Sequence, residues 1–156
     1  MRLRCSSLQS CGRDRLAAGL TRPVLLCRVS WPLLTFTPVD PPVLEERWSL
    51  RPYVFALRLA GRVGIGEHTI DPQPSGGGDE VWHDAGHSAL IRVWDHRIEL
   101  QDHYGMTRCT DVVEVRAGAL TPVAWLFAQV FHRHRQRRLN RIVARGSLDR
   151  GAPVPG

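Results

Sequence analysis

Residues 107–145, TRCTDVVEVRAGALTPVAWLFAQVFHRHRQRRLNRIVAR, decide the architecture, because they carry a strand-like run straight into the one long helical stretch of the chain. Thr107 to Arg116 is rich in Val and Thr, as strands are. Ala117-Gly118 interrupts it, and Thr121-Pro122 marks a helix start. Thr121 is suited to cap the first free amides, and Pro122 loses nothing at the first helical position because its missing N–H would have had no partner there. From Val123 to Phe131 the helix is apolar on nearly every side, with Phe127 and Phe131 four apart on one face. From His132 it turns basic, with Arg133, Arg135, Arg137, Arg138, Arg141 and Arg145. The pattern predicts one end in the core and the other in water or against anions.

Working outward, residues 34–106 read as consecutive strands. Tyr53, Phe55, Leu57 and Leu59 alternate with Val54, Ala56, Arg58 and Ala60, the period-two signature of a half-buried strand. Gly61, Gly64 and Gly66 break the run before EHTID (67–71), which predicts a hairpin; PQPSGGG (72–78) reads as a loop. EVWHD (80–84), a turn at Ala85-Gly86 and SALIRVW (88–94) predict a second hairpin. DHRIELQD (95–102) continues it, and HYGM (103–106) is a turn. Consecutive strands followed by one long helix imply an α+β fold, a curved antiparallel sheet packed on the C-terminal helix.

The chain has 156 residues, enough for one modest core, and a formal net charge of +6. Residues 1–31 hold six Arg against one acid, residues 32–131 eight Arg against thirteen acids, and residues 132–145 six Arg and no acid. All basic residues are Arg, which fits a GC-rich coding bias better than a functional demand. Residues 1–33 show no sustained period and are expected to be a disordered basic leader or sequence upstream of the true start. The domain is expected over 34–145, with a disordered tail over 146–156. Cys5, Cys11, Cys27 and Cys109 include no Cys-x-x-Cys pair, which argues against a disulfide framework or zinc ribbon and for a cytoplasmic setting. No apolar run is long enough to span a bilayer.

Several blocks carry a resemblance: PPVLEERW (41–48), the turn from Gly61 to Gly66 leading to EHTI (67–70), Trp94-Asp95-His96, TRCTD (107–111), and AGALTP (117–122) followed by FHRHRQRR (131–138). Over about residues 34–145 the chain resembles bacterial proteins related to the polyketide cyclase, START-like (SRPBCC) superfamily. The resemblance implies a helix-grip fold with an apolar cavity between sheet and helix, and a lipid, polyketide or hormone-like ligand; only some such proteins are enzymes. The sequence departs from the pattern at Cys109, where an aromatic is expected, and at Leu139, where Trp is expected. The usual N-terminal strand and paired short helices have no recognisable counterpart, so the sheet is expected to be N-terminally incomplete.

The candidate ligand-contacting residues are Tyr53, Phe55, Leu57, Trp94, His96, Asp111, Phe127 and Phe131, large or polar side chains on the sheet face and helix face expected to meet. Trp94-Asp95-His96 would be a polar cluster at the cavity mouth, with Asp95 or Asp111 orienting His96. No nucleophile or oxyanion donor stands beside it, so a cyclase- or dehydratase-type reaction is the weaker reading and binding the stronger. His83 and His87, facing each other across a hairpin turn, would supply two metal ligands where a site needs three or four, and no metal or cofactor is expected. Arg133, Arg135, Arg137, Arg138 and Arg141 form a candidate anion-binding surface. With no aromatic interleaved to stack on bases, nucleic acid is disfavoured, and an anionic membrane surface is the second functional reading.

Overall fold

The computed structural model describes residues 1–148. The elements are β1 (Arg2–Gln9), α1 (Arg13–Leu20), α2 (Pro23–Ser30), β2 (Leu34–Asp40), β3 (Tyr53–Leu59), β4 (Val63–Ile70), β5 (Pro72–Gln73), β6 (Glu80–Ser88), β7 (Val93–His103), β8 (Met106–Arg116), a 3-10 turn (Gly118–Leu120) and α3 (Thr121–Ala144). The strands form one antiparallel sheet in the order β1-β8-β7-β6-β4-β3-β2, with β5 beside β6. The 24-residue α3 lies across its inner face, an α+β helix-grip arrangement. The β7–β8 hairpin closes through Tyr104-Gly105, both at positive φ, the backbone that suits the twist of a two-residue loop.

The expectation of a disordered leader over residues 1–33 is overturned, and with it the N-terminally incomplete sheet. Arg2 to Gln9 pairs with Thr107 to Glu114 as the edge strand β1. Leu16 and Leu20 of α1 and Leu25 and Val29 of α2 are buried against Leu139, Ile142 and Val143 of α3. Each helix has only eight residues, too short for a helical period to stand out, and its stability comes from this packing rather than from propensity. Of the expected tail, residues 146–148 are ordered by contact, with Leu148 buried; 149–156 lie outside the described residues.

Two further expectations change. Ala85-Gly86 is not a turn but the middle of β6, and the chain reverses after Ser88 instead. Gly86 is required there by close approach: a Cβ would meet the Thr69 carbonyl oxygen at 2.9 Å and His68 Nε2 at 3.0 Å. Thr121 does not cap the free amides of α3. Its hydroxyl accepts from the Ala117 N–H at 2.9 Å and donates to the Gly118 carbonyl at 2.7 Å, tying down the 3-10 turn that precedes the helix.

The division of α3 into a buried apolar half and a solvated basic half is also corrected. Val123 (68 % exposed), Leu126 (61 %) and Val130 face outward, whereas His132, Arg135, Gln136, Leu139, Ile142 and Val143 are buried. A stripe at three- and four-residue spacing, Ala128, Phe131/His132, Arg135, Leu139 and Ile142, runs from the middle of the helix through the basic segment. The grip of β1, α1 and α2 on the C-terminal half explains it.

Candidate functional site

Sheet and helix do not close completely on each other. Between them is a cavity of about 390 Å³, open to solvent, within the size range of small-molecule sites. Its walls are apolar: Leu57 and Leu59 of β3, Trp94 of β7, and Ala124, Phe127 and Phe131 of α3 are among them. The Phe127 and Phe131 rings stack with centroids 6.0 Å apart, Phe131 buried and Phe127 half-buried. The cavity persists because the bulkiest side chains of β3 are committed elsewhere. Phe55 packs edge-on against Phe36 and Trp48, and Tyr53 donates to Glu45 at 2.7 Å beneath the 41–52 loop. Of the eight sequence candidates, Leu57, Trp94, His96, Phe127 and Phe131 line the cavity; Tyr53 and Phe55 belong to the core beside it, and Asp111 lies behind His96.

The inner end is polar. His68, Asp84, His96, His132 and Arg135 line it, and all five are buried. Asp111, fully buried on β8, ties two of them, His96 and Arg135, to Gln136. It accepts from His96 Nε2 at 2.8 Å, Arg135 Nη1 at 2.5 Å and Gln136 Nε2 at 2.5 Å, and His132 Nδ1 stands at 3.6 Å, beyond a hydrogen bond. Ser7 of β1 donates to Gln136 Oε1, so the N-terminal strand braces the network from behind. Both ring nitrogens of His132 and Nε of Arg135 are buried without a hydrogen-bond partner. The His132 ring lies between Trp94, stacked at 5.9 Å, and His96, edge-on at 4.7 Å.

Burial sets the proton affinities. It pushes His96 and His68 down to about 4, so both rings are neutral near pH 7. It pushes Asp84 up to about 8; the one hydrogen bond the carboxyl accepts among the described residues, from the Asp71 N–H at 2.8 Å, offsets this only in part, and the nearby Asp71 and Asp95 carboxylates add to the rise. At Asp111 burial also acts upward, but the Arg135 charge and the His132 and His96 rings outweigh it and hold the carboxyl well below its usual value. Asp111 and Arg135 therefore form a buried ion pair.

These shifts predict a stability maximum. The histidines titrate lower in the folded than in the unfolded chain, so below about pH 6.5 the unfolded state takes up more protons and stability falls. Asp84 acts oppositely: its contribution is complete below its ordinary 3.8 and is lost as pH rises toward 8. Between about pH 4 and 6.5 two histidines outweigh one carboxyl, and above that only Asp84 acts, so denaturant stability should peak near pH 6.5. Asp84→Asn should remove the alkaline decline. A wild-type stability that rises steadily from about pH 5 to 8 would contradict this assignment.

Geometrically, His96, Asp111 and His132 could hold a metal ion, their donor atoms lying within 4.8 Å of one another. Asp111 is already engaged by Arg135, His96 and Gln136, however, and a guanidinium 2.5 Å from the carboxylate opposes a dication. The network fits a closed polar floor better than a metal centre. His83 and His87 lie four apart on one continuous strand, about 13 Å, and do not face each other. His83 bonds Asp95 Oδ2 at 3.0 Å on the sheet face away from the cavity, so Asp95 does not orient His96 and the His96 cluster sits at the inner end, not the mouth.

The proposed anion surface is split. Arg133, Arg137 and Arg141 are exposed on α3, Arg138 is half-buried over the Trp31 ring, and Arg135 faces inward. Sequence reasoning missed His68, Asp84, His132 and the inward role of Arg135. The signal lay in the helical stripe: Phe131, His132 and Arg135 continue the spacing of Ala128, which a basic composition masked. Cys109 and Leu139, the two side chains that differ from the resemblance noted above, are both fully buried, and Cys109 Sγ accepts from Gln136 Nε2 at 3.7 Å.

No protein-family model and no curated protein matches the chain. Solved structures do. A protein from Chromobacterium violaceum superposes with TM-score 0.68 at 12 % identity, covering 92 % of this chain and 97 % of its own. An AHSA1-like protein from Aeromonas hydrophila gives 0.62 at 10 % identity, covering 98 % of each chain. The nucleoside-diphosphate sugar epimerase from Corynebacterium glutamicum gives 0.62 at 21 % identity, covering 91 % of this chain but 29 % of that one. At these identities the likeness concerns fold alone, the α+β helix-grip arrangement described above. Among the described residues no helix is long and apolar enough to cross a membrane.

Proposed function

We propose that the protein binds a small hydrophobic molecule in the cavity between the sheet and α3. The observation that carries this is the cavity itself: about 390 Å³ of apolar-walled space between sheet and helix. Empty apolar volume destabilises a domain, so a void of this size with a polar inner end is better explained by a ligand than by packing. The exposed apolar side chains at its edge, Ile65, Leu90, Leu120 and Val123, give a ligand an apolar route in. The one hydroxyl among the lining residues, Ser88, accepts the Ile91 N–H at 3.1 Å and has no histidine bonded to it among the described residues, which favours binding over covalent catalysis.

Screening by thermal shift with medium-chain aliphatic and bicyclic aromatic compounds tests it. A ligand at 100 times its Kd should stabilise the folded state by about 2.7 kcal/mol. Ala124→Trp places an indole in the cavity from the helix side, and should abolish that shift while leaving the unliganded protein folded. Ligand shifts of equal size in the wild type and the Trp variant would place binding elsewhere.

A further inference from the structure

The charge arrangement at the inner end limits what the cavity can accept. Among the lining residues Arg135 is the only arginine, and its charge is matched by Asp111 at 2.5 Å, both side chains being buried. Asp84 is buried with no cationic partner among the described residues and offers its carboxyl to the cavity as a neutral group, a donor as well as an acceptor. Glu67, the other acid on the wall, sits toward solvent. An ionised ligand head pushed to this end would meet no uncompensated opposite charge and would leave its own hydration behind. An uncharged head would meet partners. His132 Nε2 and Arg135 Nε belong to residues that line this end, are buried, and have no hydrogen-bond partner among the described residues. Unpaired polar atoms of this kind are costly unless a water or ligand satisfies them.

We infer that the inner end selects an apolar ligand bearing an uncharged hydrogen-bonding head, a hydroxyl, phenol or ketone, over carboxylate and ammonium analogues of the same body. The inference rests on the cavity being a ligand site. Glu67 at the open side and the Asp111–Arg135 pair at the floor act in the same direction, the first repelling an entering carboxylate and the second giving it no net attraction. An ammonium would be drawn by Glu67 but would find the floor held by a guanidinium.

Two matched series test this on the wild-type protein at neutral pH: decanol, decanoate and decylamine, and naphthol, naphthoate and naphthylmethylamine, each titrated by calorimetry. The alcohol or phenol is expected to bind at least about tenfold more tightly than both charged members of its series. Asp111→Asn, which leaves Arg135 without its counter-charge, should then move the preference by about tenfold toward the carboxylate. Should that variant not fold, the wild-type comparison still decides. A carboxylate or amine that binds the wild type as tightly as its neutral partner overturns the head-group inference while leaving the cavity as a binding site. Absence of binding by every member of both series overturns the ligand-binding reading itself.

Discussion

A chain beginning at Pro32 is expected to show no cooperative unfolding transition. Removing residues 1–31 takes Leu3, Leu16, Leu20, Leu25, Cys27 and Val29 out of the two core clusters. At about 1.5–3 kcal/mol for each fully buried aliphatic side chain, the loss matches or exceeds the roughly 5–15 kcal/mol by which a domain of this size is stable. It also strips β1 from β8 and uncovers Leu139, Ile142 and Val143 on α3. The truncated chain should bind a hydrophobic dye and melt without a sharp midpoint. A transition within a few degrees of the full chain would show that the N-terminal segment is dispensable to the fold.

The second large effect is at the buried ion pair. Arg135→Met leaves Asp111 fully buried with its only guanidinium partner gone, and should cost about 3–5 kcal/mol, the range for an uncompensated buried charge. Pairing it with Asp111→Leu should recover much of the loss, since an apolar replacement of both partners removes the stranded charge. The double-mutant cycle is therefore expected to give a coupling well beyond the roughly 1 kcal/mol of an exposed pair. Arg137→Gln, on the exposed face of the same helix, serves as the control and should be nearly silent. Equal losses at Arg135 and Arg137 would mean that α3 is not turned as described.

The contrast between those arginines shows where the sequence was legible and where it was not. Strand β3 and the long helix could be read directly, because Tyr53, Phe55, Leu57 and Leu59 alternate cleanly and Pro122 marks a helix start; of β4 only the second half was legible, since Gly64 and Gly66 read as a turn but lie within the strand. The turn at Tyr104-Gly105 could be read from its chemistry. Composition misled where tertiary contacts decide. The basic run after His132 reads as solvated, yet α1 and α2 cover one side of it, and Arg135 can be buried because Asp111 on β8 neutralises it. Gly86 looks like a turn residue, yet it is a strand residue kept bare by the Thr69 carbonyl and His68. The N-terminal helices were hidden because eight residues hold barely two turns, too few for their apolar positions to declare a period. At the candidate site the apolar walls were half visible and the polar floor only in its His96–Asp111 pair, which the structure joins at 2.8 Å. Asp84, His96, Asp111 and Arg135 lie far apart in sequence, and the sheet register and helix rotation alone bring them together.

A crystal structure of the full chain grown with naphthol tests the central claim most directly. The expected result is the ring between Leu57, Trp94, Phe127 and Phe131, with the hydroxyl at about 3 Å from Asp84 or His132. A collapsed interior, with Phe127 and Leu90 folded into the space and naphthol absent or bound on the outer surface, would contradict it.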